Sequence, residues 1–225
     1  MDSNSNQVFS RQTAVLLGIL GILGSIVLFA GDMLFYYNGD QIDFIANMGN
    51  VSPERIVLSG VSALIAAWLY TFASGQVYYA FQPAKKWIRV TVFVTFTMIM
   101  ISYGVVHGAY VAIAVSAQNA VGMGMAPDAF TELAVTTNNA VRYITYLPFG
   151  IFTALFIPAV WLKKTYYPRW VIIFSPIILF LLSGAITGAL DGKMKSIIGG
   201  GYLNLILLLF FSTATIGLWI NNELK

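Results

Sequence analysis

The chain has 225 residues, of which 58% are hydrophobic and only 9% are charged, with a formal net charge of +3. Soluble domains carry about 25% charged residues, so the main solvent of a surface this poor in charge must be lipid. The basic residues are spread over short segments, a pattern of membrane orientation that argues against a nucleic-acid-binding face. The lack of cysteine and the single histidine exclude disulfides, thiolate metal sites and a histidine-rich zinc site. We expect no cofactor and no metal.

Six apolar runs follow one another, each long enough to cross a hydrocarbon core of about 30 Å. The predicted spans cover residues 13–37, 56–81, 90–117, 139–162, 170–190 and 202–220. The first run is longer than a signal-peptide core and lacks a cleavage site, which favours a retained span. Residues 118–138 are predicted as the longest loop, with a short amphipathic helix opening at Ala126-Pro127-Asp128. The fold class is therefore all-α, a single polytopic bundle of six transmembrane helices over residues 1–225.

The basic residues set the predicted orientation. An even number of spans places both termini on one side, and cytoplasmic segments are enriched in Lys and Arg. An N-in, C-in topology places eight basic residues inside, which are Arg11, Lys85, Lys86, Arg89, Lys163, Lys164, Arg169 and Lys225. It leaves four outside, which are Arg55, Arg142, Lys193 and Lys195. We predict cytoplasmic termini.

Two segments share a pattern that suggests repeated helical hairpins. When Arg89 and Arg169 are aligned, Gly104-x-x-His107-Gly108 matches Gly184-x-x-Thr187-Gly188. Both contain a pair of small residues four apart, which predicts close helix packing at Gly104, Gly108, Gly184 and Gly188. Glycine is also common in membrane helices, so a chance match is the alternative.

Two ionisable residues, Asp32 and His107, fall in the outer halves of apolar runs. A charge at the bilayer centre costs at least about 2.5 kcal/mol, so such groups face the bundle interior, pair with each other or line a wet cavity. Asp191 lies at the edge of the fifth run, and Arg142 and Tyr146, four apart, share a helix face. We predict a polar pocket that opens to the outer face. Its ligand-binding residues are Asp32, Tyr103, His107, Arg142, Tyr146 and Asp191.

Each of these residues also has a structural interpretation. His107 fits a neutral core histidine, Asp32 a residue of the wet interface, and Asp191 an exposed loop acid. The templates of membrane hydrolases fit poorly, because the only histidine precedes Ser183 and Ser183-Gly184 is ordinary helix packing. No catalytic residue is assigned.

Three stretches carry a family resemblance: Gly31-Asp32, residues 51–56 (VSPERI) and residues 75–81 (GQVYYAF). They resemble small bacterial six-span membrane proteins that form an uncharacterised family. The resemblance covers about the first third of the chain. It implies a bacterial inner-membrane location and brings no activity with it.

The leading hypothesis is an inner-membrane protein that binds, and transports, a small or lipidic molecule through the polar pocket. The first alternative is an intramembrane enzyme with His107 and Asp32 as its acid–base pair. The second is a scaffold or sensor subunit whose helix faces bind another membrane protein. The expected partners are membrane lipids and the ligand, with no nucleic acid, and a homo-oligomer is left open.

Overall fold

The computed structural model describes residues 9–37 and 43–220, and within these ranges the chain is helical, without strands. The first half contains α1 (Arg11–Tyr36), α2 (Phe44–Gly49), α3 (Pro53–Ala80) and α4 (Lys86–Gly122). The second half contains α5 (Pro127–Ile144), α6 (Tyr146–Trp161), a 3-10 helix (Arg169–Phe174), α7 (Pro176–Leu181), α8 (Ser183–Gly188), α9 (Gly192–Met194), a π-helical turn (Lys195–Gly199) and α10 (Tyr202–Ile220). The all-α prediction is confirmed.

Five helical stretches of the described chain are long and apolar enough to cross a membrane. They are α1, α3, α4, α5 with α6, and α10. Large apolar side chains remain exposed on these helices, among them Leu16, Trp68, Phe72 and Leu147. Outward-facing apolar side chains on long helices indicate a membrane protein, because lipid is the solvent that favours them.

Helix α1 packs between α3 and α10 because its buried face is lined with small residues. A side chain at Gly21 would collide with the ring of Phe211, and one at Gly18 with Gln76 and Thr215. Small residues let membrane helices approach closely and gain van der Waals contact. The glycines of α1 therefore fix it at the centre of the bundle.

One end of the bundle gathers the start of α1, the end of α3, the 162–168 loop and the end of α10. The Arg11 guanidinium donates to the Trp219 carbonyl, and the Phe9 ring stacks on Tyr79 at 5.8 Å between centroids. The Tyr166 amide donates to the Ala80 carbonyl at 2.8 Å. We call this the basic end, because these segments, the start of α4 and the residues next to them along the chain carry Arg11, Lys85, Lys86, Arg89, Lys163, Lys164 and Arg169. The predicted C-terminal tail with Lys225 lies outside the described residues.

The predicted fifth span is not one continuous helix. Residues 169–188 instead form the 3-10 helix, α7 and α8. Pro176 has no amide proton to donate and occupies the first turn of α7, so the backbone is extended at Ser175 and a new helix starts after it. Leu182, between α7 and α8, keeps helical dihedral angles, and its amide donates to the Ile178 carbonyl while its carbonyl accepts from Ile186, so α8 continues directly from α7.

The predicted long loop 118–138 is wrong, because α4 continues to Gly122. The predicted helix opening at Ala126-Pro127-Asp128 is confirmed, since α5 begins at Pro127, but the helix runs on to Ile144. The short connection turns at Gly124, whose positive φ of 69° favours glycine. At 1.5 Å per residue α4 is about 55 Å long, well beyond a hydrocarbon core of about 30 Å. Its last part packs with α2 and α5 around a second apolar cluster, which we call the cap; the cap includes Phe35, Met48, Val51, Ile113 and Ala117.

The two copies of the glycine pattern lie in helices of different length, the first in the long α4 and the second in the short α8. Gly104 lies in the continuous α4, where a Cβ would meet the Ala67 Cβ of α3 at 2.6 Å. At Gly108, Gly184 and Gly188 a Cβ would meet no atom within 4 Å. Close helix packing therefore occurs at Gly104 and not at the other three glycines within the described chain, and the hairpin duplication stays a prediction.

Candidate functional site

A buried network of four polar side chains joins α1, α3, α4 and α10. The carboxylate Oδ1 of Asp32 lies 3.0 Å from His107 Nδ1, and its Oδ2 accepts from Asn204 Nδ2 at 2.5 Å. Ser59 Oγ lies 2.8 Å from His107 Nε2. All four side chains are buried, with His107 at 4% exposure and Ser59 at 0%. The apolar bundle thus encloses a hydrogen-bonded acid and base.

Gly31 makes this close approach possible. A side chain at that position would collide with Ser62 Oγ and reach within 3.4 Å of His107 Nε2. Its carbonyl accepts from Ser59 Oγ at 2.8 Å, which links α1 to α3 directly beside Asp32. The Phe35 ring lies 5.5 Å from the imidazole and covers it from the cap side.

The hydrogen bonds fix the number of protons in the network. The Ser59 hydroxyl has one proton and donates it to the Gly31 carbonyl, so its oxygen accepts from His107 Nε2–H. Nδ1 then either donates to an ionised Asp32 or accepts from a protonated one. In both arrangements the Asp32–His107 pair is neutral overall, which lowers the cost of burying it.

A pocket of about 550 Å³ lies beside the Asp32–His107 pair. Its polar lining comprises Asp32, Tyr36, Ser102, Tyr103, His107, Tyr110, Arg142, Thr145, Tyr146, Ser183, Thr187, Tyr202 and Asn204. Its apolar lining includes Leu28, Ile99, Phe149, Phe180, Leu203 and Ile206. Tyr146 and Phe44, which also line it, are 42% and 36% exposed, so the pocket reaches the protein surface.

Arg142 is the cation of this pocket. Its guanidinium donates to the Tyr110 hydroxyl and lies 5.7 Å from the centre of the Tyr110 ring. Its Nε is buried and has no hydrogen-bond partner among the residues that the structure describes. The ion pair found in the part of the chain that the structure describes is His107–Asp32, so no carboxylate there lies within 4 Å of Arg142.

The broken segment after α6 forms another wall of the pocket. Pro176 and Phe180 of α7 and Ser183 and Thr187 of α8 all line it. The Tyr202 hydroxyl donates to the Leu179 carbonyl at 2.9 Å and holds α7 against α10. This wall is built from short helices, unlike the long helices that carry Asp32 and His107.

The structure brings five of the six predicted ligand-binding residues to one pocket: Asp32, Tyr103, His107, Arg142 and Tyr146. Asp191 does not line it and is exposed, because the chain leaves helical structure between α8 and α9.

Ser59 and Asn204 were missed by sequence reasoning. Asn204 had a signal, since an amide inside an apolar run is costly unless it is bonded. No sequence pattern distinguishes Ser59 from the other serines of α3, so its place in the network could not be predicted. Across residues 9–37 and 43–220 no group of three or more His, Cys, Asp or Glu side chains is placed to hold a metal ion.

The fold and this site define a membrane-type helical bundle with a buried acid–base pair beside a pocket that reaches the protein surface. The chain belongs to a family of unknown function, DUF6796, whose model matches residues 1–220. This match extends far beyond the first third of the chain that carried the resemblance to an uncharacterised family. Neither the curated proteins nor the solved structures gave a significant match to the chain.

Proposed function

We propose that this protein binds, and moves across the membrane, a small amphipathic molecule that occupies the pocket beside Asp32 and His107. The pocket itself carries the proposal. Its volume of about 550 Å³ falls within the range of about 300–1,000 Å³ typical of small-molecule sites. It combines an apolar wall with a few convergent polar groups, as such sites do.

We further propose that the chain crosses the membrane six times with both termini in the cytoplasm. The contacts between Arg11 and Trp219 support this, because they join the start of α1 to the end of α10. The segment from Arg169 to Gly201 begins near the basic end and reaches Phe29 and Tyr36 of α1, so it supplies the sixth passage. The excess of basic residues at that end favours a cytoplasmic location.

Cysteine labelling tests this topology. The native chain has no cysteine, so single cysteines introduced at exposed positions report one site each. In intact cells, a membrane-impermeant maleimide is expected to label Ala126→Cys, in the α4–α5 connection, and to leave Lys164→Cys unlabelled until the cells are opened. The reverse pattern would contradict the orientation, and labelling of both in intact cells would contradict the topology.

In this orientation the pocket lies near the outer boundary of the hydrocarbon layer. Asp32 and His107 are each about 30 Å along their helices from the basic end, at 1.5 Å per residue. Beyond them α4 continues into the cap. A molecule in the pocket would thus have access to both the outer interface and the lipid phase.

The broken wall supports movement as well as binding. Irregular backbone at membrane depth is tolerated where it lines a cavity, and transporters use discontinuous helices in this way. The segment of α7 and α8 can change its packing at the extended residue Ser175 without unfolding a long helix.

A pair of neighbouring substitutions tests the pocket. Ser183→Trp puts an indole among the lining residues and fills part of the pocket volume. Gly184→Trp is the matched control, because that glycine has no atom within 4 Å of its Cβ position and does not line the pocket. We expect Ser183→Trp to reduce bound ligand severalfold and Gly184→Trp to leave it unchanged.

One observation favours a second candidate, a hydrolase with Ser59 as nucleophile. Ser59, His107 and Asp32 have the connectivity of a catalytic triad, with serine at Nε2 and aspartate at Nδ1. However, Ser59 is fully buried, does not line the pocket and donates its proton to the Gly31 carbonyl. A substrate carbonyl therefore has no route to its oxygen. Covalent labelling of Ser59 by a fluorophosphonate tests this candidate.

A further inference from the structure

We infer that the ligand of the pocket is an anionic amphiphile, with its carboxylate or phosphate on Arg142 and its apolar chain along the opposite wall. The inference rests on the proposed function and names its substrate class. It depends on the balance of charge in the pocket and on where the apolar side chains lie.

The charge balance follows from the hydrogen bonds. Asp32 and His107 form a neutral pair and thus offer no net charge to Arg142. Among the residues that the structure describes, the pocket lining contains no other Asp, Glu, Lys or Arg. Arg142 therefore gives the lining a net charge of about one positive unit.

The environment of Arg142 is that of an anion receptor. A partly desolvated cation without a counter-ion is costly, and Tyr110 satisfies only part of the guanidinium. The guanidinium fork matches carboxylate and phosphate geometry, and its buried Nε has no acceptor in the described chain. The hydroxyls of Tyr103 and Tyr146 line the same pocket and can donate to the same anion.

The apolar wall accounts for the rest of the molecule. Leu28, Ile99, Phe149, Phe180, Leu203 and Ile206 line the pocket. A fully hydrated small anion would leave this apolar surface without a partner, whereas an alkyl chain gains free energy for each CH₂ that it buries there. With the pocket near the outer boundary of the membrane, a headgroup at Arg142 lies at the depth where lipid headgroups lie.

The test measures the binding of radiolabelled decanoate to the full chain in phosphatidylcholine nanodiscs, with empty discs subtracted. Decanol is the neutral probe of equal chain length. We expect saturable binding of decanoate at one site, at least about tenfold tighter than binding of decanol. Equal binding of the two probes would overturn the inference.

Substitutions of Arg142 complete the test. Arg142→Gln is expected to weaken decanoate binding by about tenfold or more, while Arg142→Lys keeps part of it because it retains the charge. Arg89→Gln is a matched control, because Arg89 also lies over a tyrosine ring, at 5.0 Å from the centre of Tyr78, and its buried Nε also lacks a partner within residues 9–37 and 43–220. Equal losses in Arg142→Gln and Arg89→Gln, or no loss in either, would overturn the inference.

Two further experiments complete the design. The first distinguishes a phospholipid from a free carboxylate amphiphile as the natural ligand, and the second distinguishes failure of the anionic class from failure of the pocket function. If phosphatidylglycerol in the disc displaces decanoate, the natural occupant has a phospholipid headgroup; if it does not, the site takes free carboxylate amphiphiles, and both results support the inference. If decanol binds as tightly as decanoate and Ser183→Trp abolishes both, the pocket function stands and the anionic class is wrong. If Ser183→Trp abolishes neither, the pocket function itself is wrong.

Discussion

Replacing His107 with alanine is expected to lower the free energy of unfolding by about 3–5 kcal/mol, since removing one partner leaves the other buried without a counter-ion. Asp32 would keep only the Asn204 hydrogen bond, and Ser59 would lose its contact with the imidazole. The remaining carboxyl group would have to bind a proton or admit water. Because the network joins four helices, its loss also loosens their packing.

Unfolding of the purified protein with increasing denaturing detergent measures this effect. Thr97→Ala is the control, because it also removes a polar group from α4, but one bonded only to the Phe93 carbonyl of its own helix. It should cost about 1 kcal/mol or less. The double variant Asp32→Asn with His107→Gln should be more stable than His107→Ala, since no buried charge remains. A loss below about 1 kcal/mol for His107→Ala would contradict the paired, buried network.

Wild-type protein is expected to remain unlabelled by a fluorophosphonate, in spite of the triad connectivity of Ser59, His107 and Asp32. A nucleophilic serine must reach the electrophile and must donate its proton to the base as it attacks. Ser59 meets neither requirement, since it is buried and its proton points to the Gly31 carbonyl. Its two hydrogen bonds instead hold α1, α3 and α4 together.

Mass spectrometry of the intact protein shows directly whether the fluorophosphonate has formed a covalent adduct. An enzyme would gain one adduct per chain on Ser59, and both Ser59→Ala and His107→Ala would abolish it. That pattern would replace the binding role of the pair with a catalytic one. Absence of the adduct, together with lower stability of Ser59→Ala, agrees with a structural serine.

Much of the fold could be predicted because lipid imposes simple rules on a chain. A crossing helix must be apolar over a set length, so α1, α3, α4 and α10 follow from hydropathy alone. The start of α3 also agrees with local sequence, since Pro53 fits the first position of a helix and Glu54 lies in the first turn.

The predicted and observed helices differ where tertiary packing or a proline determines the backbone. Residues 118–138 are polar enough to predict a loop, but α4 and α5 are helical over most of this stretch, because they pack on each other and on the apolar cluster of the cap. Residues 169–199 have the composition of a span, but the helix breaks before Pro176 and again at Asp191, after α8. Hydropathy reports the solvent of a segment and carries little information on the continuity of its backbone.

The site was predictable only in part, for a related reason. Asp32 and His107 stand out because ionisable groups in apolar runs are costly, and the structure brings them together. Ser59 is an ordinary helix residue whose role depends on the helix beside it, which no local pattern reveals. The position of Asp191 at the edge of the fifth apolar run predicts a place in the pocket, but the irregular backbone after α8 puts this residue on the surface. The scaffold alternative stays a prediction.

The most direct test of the pocket's role as a ligand site is native mass spectrometry of protein extracted from its own membrane in a mild detergent. Wild type and Gly184→Trp are expected to carry one bound molecule with an anionic group and an apolar chain, which Ser183→Trp has lost. Tandem fragmentation identifies the molecule. An unoccupied wild-type protein, or equal occupancy in Ser183→Trp, would contradict a ligand-binding pocket beside Asp32 and His107.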